Sequence, residues 1–271
     1  MKENVFYLTL PSDSSMDIYG DNKISSFCVS LSNPLELDSN LWEVGIVELI
    51  YPNLFVNIRQ GRNSIEETRY RNAREIRREI KLVPGYYSNV QKIVDHLNTT
   101  LKHSKSPDDY LYGANSENDD GVVDNIFEYN EILQKTVVNM HHGCSIKFGK
   151  SDIAKILGFT PNKVLIANKG TISEFPSLIK NGLNLLYIYS DIAKPHAVGD
   201  SNAPLLRVVP LRGEYGEHIS HKFERPMFFP ISKNNIDNIK LDLRSENGDL
   251  FPFLAGKVVV TLIFRRKKIY L

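Results

Sequence analysis

The sequence predicts a mainly β fold: a single jelly-roll β-sandwich carrying a small α+β insertion. Three observations lead there. Short segments at both ends of the chain alternate apolar and polar residues, Pro, Gly and Asn punctuate them, and the middle of the chain switches to helical spacing. With 271 residues the chain can form one large all-β unit or two smaller domains. Its 42% hydrophobic and 24% charged residues are ordinary for a globular protein and unlike a disordered one.

Along the chain, Phe27, Val29 and Leu31 alternate with Cys28 and Ser30, and Trp42, Val44 and Ile46 alternate with Glu43, Gly45 and Val47. Both patterns describe strands with one buried face, Trp42 lying on the core side, and Asn33-Pro34 is expected to break the chain between them. The last third repeats the pattern with Ile239, Leu241 and Leu243, then a polar turn at Ser245 to Asp249. Lys257 to Phe264 is apolar on both faces, as expected of a central strand covered on both sides.

In the middle, Val90, Ile93, Val94, Leu97 and Leu101 sit at helical offsets, giving a helix over 88–101 that Ser88 and Gln91 would open as a capping box. A shorter helix runs from Asp152 to Leu157, with Ser151 as N-cap and Gly158 just past its end. Strands are expected at Gln134 to Met140 and Ser145 to Phe148. The organisation predicted is therefore 1–84 as the first part of the jelly roll, 85–165 as the insertion and 166–271 as the remainder.

Lys and Arg number 33 against 32 Asp and Glu, a formal charge of +1, so no overall basic field exists and any nucleic-acid contact must be local. No apolar run approaches the ~20 residues of a membrane span, and the N-terminus lacks the apolar core of a signal peptide. Cys28 and Cys144 are expected to be free thiols in a reducing compartment. Two stretches carry uneven charge. Ser104 to Glu131 holds eight acidic residues and one Lys, and 104–124 is expected to be an exposed loop. Arg59 to Lys81 holds eight basic and four acidic residues, a solvated strand-and-loop surface or a patch for phosphates or an acidic partner.

Few groups point to chemistry. His141, His142 and Cys144 cluster, as do His218 and His221, but neighbours and residues three apart on a strand face opposite ways, so surface or hydrogen-bonded histidines are expected rather than a metal. The carboxylates from Glu117 to Asp124 lack calcium-loop spacing, and no phosphate loop, nucleophile elbow or zincin motif occurs. No enzyme and no cofactor are expected. The compact run Arg265-Arg266-Lys267-Lys268 is either an inner-surface contact for packaged nucleic acid or a solubilising flank of an aggregation-prone strand.

Several blocks together resemble a known family. Phe6 to Met16, Asn22 to Phe27 and Trp42 to Glu48 followed by Tyr51-Pro52 resemble the opening of the minor capsid, or penton, proteins of Maverick/Polinton elements and adintoviruses. Pro84 to Tyr87, Leu157 to Phe159, Leu205 to Pro210, and Phe251 to Phe253 with Gly256 to Leu262 are similar to its later blocks, in the same order. The resemblance implies a single jelly-roll subunit that forms a homopentamer at the vertices of an icosahedral double-stranded DNA virus or virus-like transposon. It also implies a double jelly-roll major capsid protein as partner, residence in the virion capsid after assembly inside the host cell, and no catalytic residues; the short apolar runs, for their part, predict no membrane insertion. The acidic and basic stretches depart from the family pattern. A jelly-roll carbohydrate- or receptor-binding module, using Trp42 and the thirteen tyrosines as stacking surfaces, is the alternative.

Limited proteolysis should cut first within 104–124, because its acids and turn residues bury too little apolar surface to offset ordering. Resistance there, with first cuts elsewhere, would identify an ordered contact instead.

Overall fold

The computed structural model describes residues 5–71, 74–103, 126–140, 143–166 and 170–267. The acidic stretch 104–124 lies outside them. The chain divides into two compact units, Met1–Phe55 with Gly182–Leu271, and Val56–Asn181. In the first, β1 (Val5–Pro11), β2 (Ser26–Glu36) and β3 (Trp42–Pro52) precede the inserted unit. The insertion contains β4 (Ser64–Arg71), β5 (Arg74–Lys81), α1 (Val90–His103), β6 (Phe127–Asn130), β7 (Lys135–Val138), β8 (Cys144–Lys147), α2 (Asp152–Ile156), β9 (Val164–Ile166) and β10 (Thr171–Ile172). The first unit then resumes with β11 (Leu185–Ser190), β12 (His196–Val198), β13 (Ser201–Ala203), β14 (Leu205–Pro210), β15 (His218–Lys222), β16 (Phe229–Pro230), β17 (Asn235–Arg244) and β18 (Val259–Arg266).

Strand pairing identifies the first unit. One sheet runs β1-β18-β3-β15, with β16 also on β3, and the other runs β14-β11-β17-β2. Omitting the β12–β13 hairpin and counting β15 and β16 as one strand, eight strands stand in the orders 1-8-3-6 and 5-4-7-2. That is the strand order of a jelly roll, with every pair antiparallel. The fold class is therefore mainly β, with two helices among the described residues. Its core is the inward set the period-two pattern marks: Ile239, Leu241 and Leu243 of β17, and Val260, Leu262 and Phe264 of β18, all fully buried.

Sequence expectation and structure part at several points. The insertion spans Val56 to Asn181, wider than 85–165, because Ile58, Ile65, Ile80 and Leu82 share one buried cluster with Ile93 and Leu97 of α1, while Ile179 packs against it. Asn33-Pro34 does not end a strand; β2 runs through it. The register against β17 slips between Ile236, opposite Leu35, and Asn238, opposite Ser30, so Pro34 sits in an irregular stretch where its missing N–H is tolerated. On the second face of β18, Val259, Thr261 and Ile263 are only half-buried, since a strand central in a two-sheet sandwich has just one inner side. Trp42 is likewise half-buried, tilted against Phe6 at 5.5 Å.

The insertion is built on α1, which packs against β5 and β6. Its cap is Asn89, whose Oδ1 accepts from the Lys92 N–H at 2.9 Å, and not Ser88; Gln91 instead donates to Asp95. The buried Asn98 of α1 fixes β6 by accepting from Phe127 N and donating to Phe127 O. α2 keeps its expected cap, Ser151 Oγ accepting from Ala154 N at 3.2 Å, and Gly158 follows at φ +81°, where a side chain would strike the Phe175 carbonyl. Cys28 and Cys144 are free and half-buried, and burial pushes both thiols up, so they stay protonated at neutral pH.

Val260→Asp should cost several kcal/mol, a large share of the ~5–15 kcal/mol of a typical fold, by placing an unpaired carboxylate in the sandwich. The variant should express as insoluble protein; normal yield with an unchanged melting temperature would show that β18 does not hold the core.

Candidate functional site

The jelly roll presents two different flanks. On one, β1 edges its sheet and β2 edges the other; on the opposite one, β14 and the β15–β16 pair are the edges. Along β1, Val5, Tyr7 and Thr9 point outward and are exposed, Tyr7 at 61%. Phe6 faces inward and stacks on Phe264 at 4.9 Å. This alternation leaves a row of large side chains beside a strand edge that no described residue covers.

The other flank is broken open. β15 pairs with Glu48 to Pro52 of β3 and β16 with Glu43 and Val44, so the sixth jelly-roll strand is interrupted between Lys222 and Phe229. Two local features place the interruption. Val47 is an extra residue in β3 relative to β18, and its carbonyl accepts from Phe223 N at 2.8 Å. At Gly45 a Cβ would lie 2.5 Å from the Met227 carbonyl, so only glycine lets that backbone approach. β14 carries its own bulge: Leu206 is extra between the Ile188–Arg207 and Tyr189–Leu205 pairs, and both Leu205 and Leu206 are buried.

Between β14 and β16 these features leave a groove of about 250 Å³, lined by His196, Leu205, Arg207, Val208, Met227 and Phe229. His196 stacks on Phe229 at 4.3 Å, and the Arg207 guanidinium lies over Phe223 at 4.4 Å. The walls are apolar. His196 Nδ1 and Arg207 Nη1 are covered and have no hydrogen-bond partner among the described residues, a costly state for either group.

The basic run at the carboxyl end is not one patch. Arg265 donates to Glu43 at 3.0 Å and lies 3.4 Å over Phe228, so its charge is matched; Lys267 donates to the Asn40 carbonyl at 2.8 Å; Arg266 is exposed. Lys268 lies outside the described residues. In the insertion, five cations of 59–81 meet carboxylates of the same unit: Arg59 grips the buried Asp152, Arg69 and Arg78 flank the buried Glu67, and Arg77 and Lys81 pair with Glu75 and Glu79. His141 and His142 lie outside the described residues, and among the described residues no three His, Cys, Asp or Glu converge on a metal position.

His218 and His221 face opposite ways along β15, as their spacing requires. His221 stacks between Tyr51 and Phe223. The Tyr51 hydroxyl accepts from Arg212 N at 3.3 Å and stands 3.5 Å from His221 Nε2. Burial, reinforced by the nearby Arg212 charge, holds the His221 pKa below its ordinary value. Tyr7, His196, Arg207 and Met227 were not marked as functional by motif; the legible signal was one arginine inside the apolar run Leu205 to Val209.

No protein-family model matches the chain, and no curated protein matches it. Among solved structures, the crystal structure of the mavirus penton protein superposes on 98% of this chain and the whole of its own, with a TM-score of 0.48 at 14% sequence identity.

Because the folded imidazole resists protonation, the unfolded chain takes up that proton first as pH falls below about 6.5. The contribution of His221 to stability is therefore complete above that pH and lost below it. Across pH 7.5 to 5 the melting temperature of His221→Gln, which stays neutral, should fall less than that of the wild type; parallel curves would show that His221 is not protected from protons.

Proposed function

We propose that this protein is a structural, non-enzymatic capsid subunit, five copies of which close into the vertex capsomer of an icosahedral double-stranded DNA virus or virus-like transposon. The observation that carries this reading is the jelly-roll strand order with two unlike, partly apolar flanks, in a chain whose ordered sequence blocks resemble those of Maverick/Polinton penton proteins. A ring of identical subunits joins one flank to the other, and closure requires the two to differ. Near-zero net charge lets copies pack without strong mutual repulsion.

In this role the partners are further copies of the chain and a double jelly-roll major capsid protein, and the site of action is the capsid, assembled inside the host cell. No helix among the described residues is long and apolar enough to cross a membrane. Contact with packaged DNA belongs to Arg266 and its neighbours at the carboxyl end, local and salt-dependent; Arg265 contributes least, because Glu43 already neutralises it. The competing role, a carbohydrate- or receptor-binding module, requires a monomer with an exposed aromatic platform.

Light scattering and native mass measurement over a concentration series, with and without the major capsid protein, should find a five-copy species. A strictly monomeric or two-fold species under both conditions overturns the proposal, and glycan binding by that monomer would establish the binding module in its place.

A further inference from the structure

We propose that Tyr7 of one copy seats in the groove between β14 and β16 of the next, forming the centre of the lateral contact. The inference rests on the ring assembly proposed above and names the surfaces that close it.

Register sets the two surfaces level. Phe6 pairs with Phe264, Phe264 with Val44, and Val44 with Phe229, so one row of residues crosses the sheet from the β1 edge to the groove. The proposed ring has its axis parallel to the strands, and rotation about such an axis preserves that level. It therefore brings the Val5–Tyr7 segment of one copy beside Met227 and Phe229 of its neighbour.

The chemistry of the two sides corresponds. The groove is apolar along its walls and lacks hydrogen-bond partners at His196 Nδ1 and Arg207 Nη1. At about 250 Å³ it is smaller than the roughly 300–1,000 Å³ of small-molecule sites and suits one large side chain. Tyrosine offers an apolar ring that matches those walls and keeps its hydroxyl at the open side of the groove. Tyr7 is the most exposed aromatic on β1, and Met227, 54% exposed, lies at the mouth of the groove. The free edge of β1 adds a row of backbone acceptors beside it, as in strand-edge docking.

Sedimentation and native mass measurement of variants test the contact. Tyr7→Ala and Met227→Lys should each weaken the ring at least about tenfold in dissociation constant, with unchanged circular dichroism and melting temperature of the isolated chain. In a Cys28→Ser, Cys144→Ser background, Tyr7→Cys with Met227→Cys should oxidise to a covalent ladder of up to five copies. Within one copy the two positions are separated by three strand spacings, about 14 Å, too far for a disulfide. A wild-type ring that survives both substitutions and gives no ladder overturns the Tyr7 contact and leaves the ring standing. A wild-type chain that is monomeric with and without the major capsid protein overturns the ring and the contact together.

Discussion

Everything in the jelly roll hangs on β18 lying between β1 and β3. Residues 5–11 pair with 259–265 across almost the whole chain, and Ser12 and Val258 extend the ladder by exchanging hydrogen bonds, Ser12 N to the Val258 carbonyl and Val258 N to Ser12 Oγ. Such pairing closes a very long loop before it returns any contact energy. What repays it is the inner face of Val258, Val260, Leu262 and Phe264, each fully buried. Without β18, β1 has no partner and neither flank of the sandwich keeps its register.

The inserted unit solves its own stability problem. Three of its buried polar side chains find their partners within it: Asn57 holds the Tyr87 backbone at both N–H and carbonyl, Asn98 does the same for Phe127, and Asp152 takes three hydrogen bonds from Arg59. Buried carboxylates such as Asp152 and Glu67 are tolerable only with such partners, and removing one partner strands the other. The same pairing ties Arg59, Arg69 and Arg78 of the basic stretch into the framework of the unit.

Several departures from ideal sheet geometry meet at the flank that carries the groove. The extra residues Val47 and Leu206, the interrupted sixth strand and the approach of Met227 to Gly45 are each a local loss of ladder regularity. Together they separate the sheet edges enough to leave an apolar groove with two unmatched nitrogens at an otherwise ordinary sandwich edge. The opposite flank keeps a regular β1 with its side chains strictly alternating. A rigid, regular edge facing an irregular concave one is the asymmetry that a head-to-tail contact needs.

Much of this was written in local pattern. The alternation in Phe27 to Leu31, Ile239 to Leu243 and Val258 to Phe264 named the core faces because side-chain direction has period two in any strand, and Ser151 and Gly158 bounded α2 because capping is chemistry within one turn. Local pattern misled where a distant partner decided the outcome. Pro34 remains inside β2 because β2 bulges against β17 there, and β4 and β5 belong to the insertion because Ile65 and Ile80 share a buried cluster with α1. The groove was invisible for the same reason. His196, Arg207 and the pair Met227 and Phe229 come from three separate segments, and their meeting depends on two bulges and one close backbone approach. A single chain segment encodes which of its faces is apolar; only the pairing of distant strands decides which edges stay open and what stands level with them.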